Sequence, residues 1–145
     1  MQKFLKYNRK YKSKSKVKYI NWEFAPDVKK KLRQLTASLK INWVSPSRVF
    51  CLRSSNAKTR AIARIWGLSK VWQKVLTVKP AYIIEVISEK YDRLSEIEKD
   101  KVILHEITHI PKNFSGALAP HFRRGKRSFH KKLEVLVAQY INNLK

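Results

Sequence analysis

Apolar positions along this chain follow two rhythms, and the changes between them predict its elements. Val28, Leu32, Leu35 and Leu39 recur at helical spacing, behind Pro26 at the first helical position and Asp27 close to the positive end. This predicts a scaffold helix with lysines on its outer side, preceded by an extended or strand-like stretch from Val17 to Phe24. Arg48–Arg53 reads as a short, largely buried strand and Arg60–Leu68 as a second. The turn residues Ser54-Ser55-Asn56-Ala57 between them suggest a hairpin. Ser69 is placed to cap a short helical turn through Val71, Trp72, Val75 and Leu76. Pro80 then precedes the strongest β signal, Ala81–Ile87, which leads through Tyr91–Leu94 into the next helix.

That helix is framed at both ends. Ser95-Glu96-Ile97-Glu98 has the form of a capping box, and Pro111 disfavours helical geometry at Ile110. Ile97, Ile103, Leu104, Ile107 and Ile110 supply its apolar side. A loop over 112–126, with Gly116, Pro120 and Gly125, separates it from a last helix for which Ser128 is the expected cap. Leu133, Val137, Tyr140, Ile141 and Leu144 form the expected buried face of that helix. The reading is a compact α+β domain: one scaffold helix, a small antiparallel sheet, then two helices carrying the site. There is no internal repeat and no domain linker, so residues 19–145 read as a single domain behind a basic arm, residues 1–18.

Composition changes the picture mainly through charge. The 43% apolar content is that of a globular protein, and no run of 18 apolar residues predicts a membrane span. The N-terminus lacks the apolar core of a signal peptide, and a lone cysteine suits a reducing interior, so a cytoplasmic, intracellular protein is expected. Cys51, between Phe50 and Leu52, reads as a core thiol. Lysine and arginine number 33 against 10 acids, a net charge of +23, and seven of those acids fall between Glu85 and Glu106. A field of this sign and size attracts polyanions, with nucleic acid the favoured partner and an anionic lipid surface or acidic protein the alternatives. The expected phosphate contacts are Lys3, Lys6, Arg9, Lys10, Lys12 and Lys14 in the arm, where Phe4, Tyr7 and Tyr11 interleave, and Arg123, Arg124, Lys126 and Arg127 in the late loop.

The candidate chemistry sits in His105-Glu106-Ile107-Thr108-His109, an H-E-x-x-H element within the framed helix. Residues four apart on a helix share a face, so His105 and His109 can offer two imidazole nitrogens to one metal ion. Glu106 stands beside them to act as general base on a water, the pattern of a zinc-dependent peptidase acting on a protein or peptide substrate. Zn2+ is the expected cofactor. A catalytic zinc needs a third protein ligand, for which His121 is favoured, with His130 and Glu134 the alternatives. Lys112 and Ser115 stand where the metzincin spacing requires Gly and His, which excludes that family. A His not used as a ligand, Tyr140 or Arg123 could donate to an oxyanion, although each reads first as a packing or surface residue.

Tyr82–Glu89, His105–Pro111, Phe114-Ser115-Gly116 and Pro120-His121 together resemble a metallopeptidase family of phages and archaea that is related to the SprT-like zinc proteases. The resemblance covers roughly positions 48 to 140, and its most specific parts are His-Ile-Pro and the Ser-Gly…Pro-His loop. It implies a zincin-like fold in which the strand before the metal helix edges the cleft and a substrate peptide adds as a further strand. It also favours His121 as third ligand, and the link to proteases that cleave proteins on DNA agrees with the basic surface. The His-Gly-Pro-x-Phe motif of typical SprT-like proteins is absent, since Gly125–Phe129 holds no His. The competing reading is a nucleic-acid-binding protein with a structural or degenerate zinc site.

Overall fold

The computed structural model describes residues 18–122 and 128–145. The elements run β1 (Asn21–Phe24), α1 (Pro26–Ser38), a 3-10 turn at Pro46–Arg48, β2 (Val49–Ser55), β3 (Ala63–Gly67), α2 (Lys70–Leu76), β4 (Tyr82–Ile87), α3 (Ser88–Tyr91), α4 (Glu96–Thr108) and α5 (Ser128–Asn143). The α+β class is as expected, with a four-stranded sheet and five helices among the described residues. Local signals account for many boundaries. Pro26 opens α1, the Ser69 hydroxyl accepts from the Trp72 amide at the start of α2, and Ser95 with Glu98 forms the full capping box of α4.

The sheet departs from expectation in its order, β1-β2-β4-β3. β2 and β3 do not pair as a hairpin. β4 lies between them, parallel to β2 (Val49 opposite Tyr82) and antiparallel to β3 (Ala63 opposite Val86), so the sheet is mixed and not wholly antiparallel. Two facts favour this order. The connection after β2 is too long for a tight two-residue hairpin. β4 is also the strand whose side chains are buried on both faces, with Tyr82, Ile84, Glu85, Val86 and Ile87 all enclosed, which suits a central position. The cleft edge therefore falls to β3, and not to the strand preceding the metal helix.

α1 and α4 cover one face of the sheet. Val28 and Leu32 from α1, Ile103, Leu104 and Ile107 from α4, and Val49, Cys51, Ile84 and Val86 from the strands form one buried cluster. Cys51 is the core thiol expected, its pKa raised to about 11 by burial. Tyr91, at the end of the unexpected short helix α3, joins the cluster as well. α5 packs on α4 through Phe129, Leu136 and Tyr140, with Leu133 and Val137 partly buried. Ile141 and Leu144 remain exposed, so the buried stripe lies further round α5 than expected. α5 carries two apolar stripes, and contact with α4 selects the one that includes Phe129. Residues 1–17 of the arm and the late-loop residues Arg123, Arg124, Lys126 and Arg127 lie outside the described residues.

Candidate metal centre

α4 is held on three sides before it presents any chemistry. Its capping box satisfies the first-turn amides, and its apolar side sinks into the core. Asp100 accepts from Lys31 of α1 at 2.9 Å and from the Tyr140 hydroxyl of α5 at 2.7 Å. Tyr140 is thereby committed to structure and does not point at the histidines as a free donor. With the helix fixed in this way, His105, Glu106 and His109 face a cleft of about 860 Å³ whose other wall includes Ile62, Ala63 and Ile65 from and beside β3.

The loop after α4 is bolted back over the helix. The Ala119 amide donates to the His109 carbonyl at 2.7 Å, and His109 Nδ1 lies 2.6 Å from the Ala119 carbonyl. That carbonyl only accepts, so Nδ1 carries the proton and Nε2 keeps its lone pair for the cleft. Further along, the Tyr82 hydroxyl donates to the Ala117 carbonyl and accepts from the Gly116 amide, while Gln73 Nε2 donates to the Ser115 and Leu68 carbonyls. Gly116 has φ +90°, and a Cβ there would lie 2.2 Å from the Leu68 carbonyl oxygen. The Ser-Gly step thus lets the loop lie against the end of β3 and return His121 to α4.

His105, His109 and His121 each offer a ring nitrogen within 4.8 Å of the other two, and His105 Nε2 lies 2.9 Å from His121 Nε2. Two imidazole nitrogens this close either share a proton or turn their lone pairs towards a common cation. Burial, reinforced by the neighbouring histidines, pushes the His105 pKa down to about 4, and burial lowers His109 as well. Both are therefore neutral, the state in which imidazole binds a metal. The donor set fits a metal ion. Phe129 of α5 packs on all three rings, with centroids at 5.2, 4.5 and 4.8 Å, while His105 stays half-buried, His109 buried and His121 open to solvent. Glu106 lies in the same cleft, and burial alone raises its carboxyl to about 7.

The alternative ligands His130 and Glu134 stand apart, lining a separate pocket with Phe122. Phe129 lies ahead of the apolar positions, Leu133 onward, that mark the buried face of α5 in the sequence, so periodicity does not single it out. Nor does it reveal the Tyr82–Gln73 clamp, for which Gly116 is the available signal. A family described as "Putative phage metallopeptidase" matches residues 20–134. The chain belongs to this family. No curated protein and no solved structure matches the chain. The family match spans every residue of the His cluster, the clamp and Phe129. Among the described residues no helix is long and apolar enough to cross a membrane.

Proposed function

We propose that this family member is a zinc-dependent peptidase in which His105, His109 and His121 hold the ion and Glu106 moves the protons. The observation that carries the reading is the meeting of three imidazole nitrogens within 4.8 Å of one another beside a buried carboxylate, in a cleft walled by an edge strand. Zinc is the choice because imidazole donors suit it. A zinc ion held there supplies Lewis acidity to a carbonyl oxygen and lowers the pKa of water towards ~7.

The chain's own residues account for the remaining chemistry. Glu106 accepts a proton from the attacking water and returns it to the leaving amine nitrogen as the peptide C–N bond breaks. A carboxyl group with pKa about 7 is suited to both transfers near neutral pH. The Ala119 carbonyl keeps His109 in the tautomer that leaves Nε2 facing the cleft. β3, paired on one side only among the described residues, offers backbone groups to an extended substrate, and Ile62, Leu118, Leu133 and Val137 give the cleft an apolar lining for a substrate side chain. The net charge of +23 supports action near nucleic acid inside the cell.

Elemental analysis of tag-free protein tests the metal assignment. About one zinc per chain is expected, weakened or lost in His121→Ala; protein that stays metal-free after reconstitution with zinc would overturn it. The rival reading, a nucleic-acid binder with a structural site, is favoured by the charge. It requires a fourth protein ligand, and His130 stands outside the cluster of three.

A further inference from the structure

The face of the sheet turned away from α1 and α4 takes no part in the His cluster. Strand alternation places Trp22 and Phe24 of β1, Phe50 and Leu52 of β2, Ile83 and Glu85 of β4, and Arg64 and Trp66 of β3 on that face. Their neighbours of opposite parity, such as Cys51 and Ile84, enter the core. Four large aromatic side chains remain open to solvent there: Phe24 is 79% exposed, Trp22 52%, Trp66 49% and Phe50 43%. The solvent face of a sheet is ordinarily polar, and large apolar side chains exposed together on one face mark a binding surface.

Two of these rings are held in fixed poses. Glu85 Oε1 accepts from Trp22 Nε1 at 3.3 Å and from the Arg64 guanidinium at 3.0 Å. Oε2 accepts from Trp66 Nε1 at 2.8 Å and from Arg64 Nε at 2.6 Å. The Arg64 guanidinium also lies 5.0 Å from the centroid of Trp66. The indole N–H edges are thus tied inward to one buried carboxylate, while about half of each ring stays free. Glu85 is the one acid among the strand positions of this face, and Arg64 neutralises it.

We propose that this face is a platform for single-stranded nucleic acid, with bases stacking on Trp22, Phe24, Phe50 and Trp66. Every base has a π face, but a duplex hides those faces in its own stack, so a flat aromatic patch selects single strands. The chain's net charge of +23 supplies the attraction for a polyphosphate, and eight of its basic residues fall within positions 1–18 of the sequence. An uncharged polymer would use the rings and leave the charge without a role. The proposal does not depend on the peptidase reading.

The test titrates the full chain into a labelled oligothymidylate of ~12 nucleotides, and into a duplex of equal length, followed by fluorescence anisotropy. Phe24→Ala and Phe50→Ala are the variants, with Phe24→Leu and Phe50→Leu as versions that keep apolar volume without a ring. The single strand is expected to bind more tightly than the duplex, and each alanine variant to lose roughly 5- to 150-fold in affinity. The leucine variants should lose affinity too, and binding should quench tryptophan fluorescence. Wild-type affinity in folded variants, or equal affinity for duplex, would overturn the proposal, because the binding would then be charge alone. Binding of a neutral oligosaccharide that depends on the same phenylalanines, without single-strand binding, would reassign the face and overturn it as well. Zinc measured on the same samples should be unchanged, since Phe24 and Phe50 lie on β1 and β2, away from the histidines; zinc absent from every sample would count against the metal reading only.

Discussion

Glu85 and Glu106 are both enclosed carboxylates, 0% and 6% exposed, yet their surroundings drive them in opposite directions. Burial raises the pKa of either group. At Glu85 that effect is outweighed by hydrogen bonds from the Arg64 guanidinium and the Trp66 indole, and the pKa falls from 4.5 to about 2. At Glu106 burial acts unopposed, and the pKa rises from 4.5 to about 7. A fully partnered carboxylate is a structural anion with no proton to exchange near neutrality. A desolvated and unpartnered one is poised to take and give a proton. The outer face of the sheet therefore uses its carboxylate as a fastener, and the cleft leaves its own free to exchange a proton, as the proposed peptidase chemistry requires.

The largest effect should come from exchanging each for its neutral isostere. Glu106→Gln is expected to lower peptidase activity by at least ~10²-fold while zinc content and fold are kept, as removal of a general base requires. Glu85→Gln should leave turnover per folded molecule within about twofold, a margin on the order of 0.4 kcal/mol, but destabilise by about 2–3 kcal/mol. That figure is below the ~3–5 kcal/mol of pairs buried on both sides because Arg64 reaches water. Activity retained in Glu106→Gln, or lost in a stable Glu85→Gln, would erase the distinction.

The same pair should divide by pH. For Glu85 the unfolded chain binds the proton more tightly, so its contribution is fully present above about pH 4.5 and is lost as pH falls towards about 2. For Glu106 in chelator-treated protein the folded state binds the proton more tightly, so stability falls as pH rises from about 4.5 through about 7. Urea unfolding should then find metal-free Glu106→Gln gaining on wild type between pH 5 and pH 8, by an order of ~2 kcal/mol. Glu85→Gln should fall behind above pH 4.5 and converge with wild type in acid. Parallel profiles would show that neither carboxylate is shifted.

Signals contained within a few residues were legible in the sequence: Pro26, the Ser69 cap, the Ser95–Glu98 box and the His105–His109 spacing all lie where the structure has the corresponding element. What the sequence hid depends on partners distant along the chain. The insertion of β4 between β2 and β3 is a competition among strands for the centre of the sheet, and alternation within one strand carries no record of it. Phe129 meets the histidines because α5 turns one of its two apolar stripes to α4. The proximity of His121 to the helix pair was legible as ligand type and loop reach, but the Ala119–His109 bolt that brings it back was not. Glu85 could be seen only as one of a run of acids, since Trp22 and Arg64 reach it across the sheet from other strands.

The smallest effect should grade the fastener itself. Trp66 Nε1 reaches Glu85 at 2.8 Å and Trp22 Nε1 at 3.3 Å, so the second hydrogen bond is longer and weaker. Trp22 stands on β1, an edge strand whose four residues are all exposed, and water can replace its N–H. Trp22→Phe should therefore cost only about 0.5 kcal/mol, and Trp66→Phe about 1–1.5 kcal/mol, below the ~1.5–3 kcal/mol of a hydrogen bond to a charged group because both indoles are half open to water. Urea midpoints in that order, each well short of the Glu85→Gln loss, would mean that Arg64 holds the carboxylate and the indoles are held by it. A Trp22→Phe loss equal to that of Glu85→Gln would make the three donors one cooperative unit, and the platform rings would then be part of the fold's stability and not free riders on an ion pair.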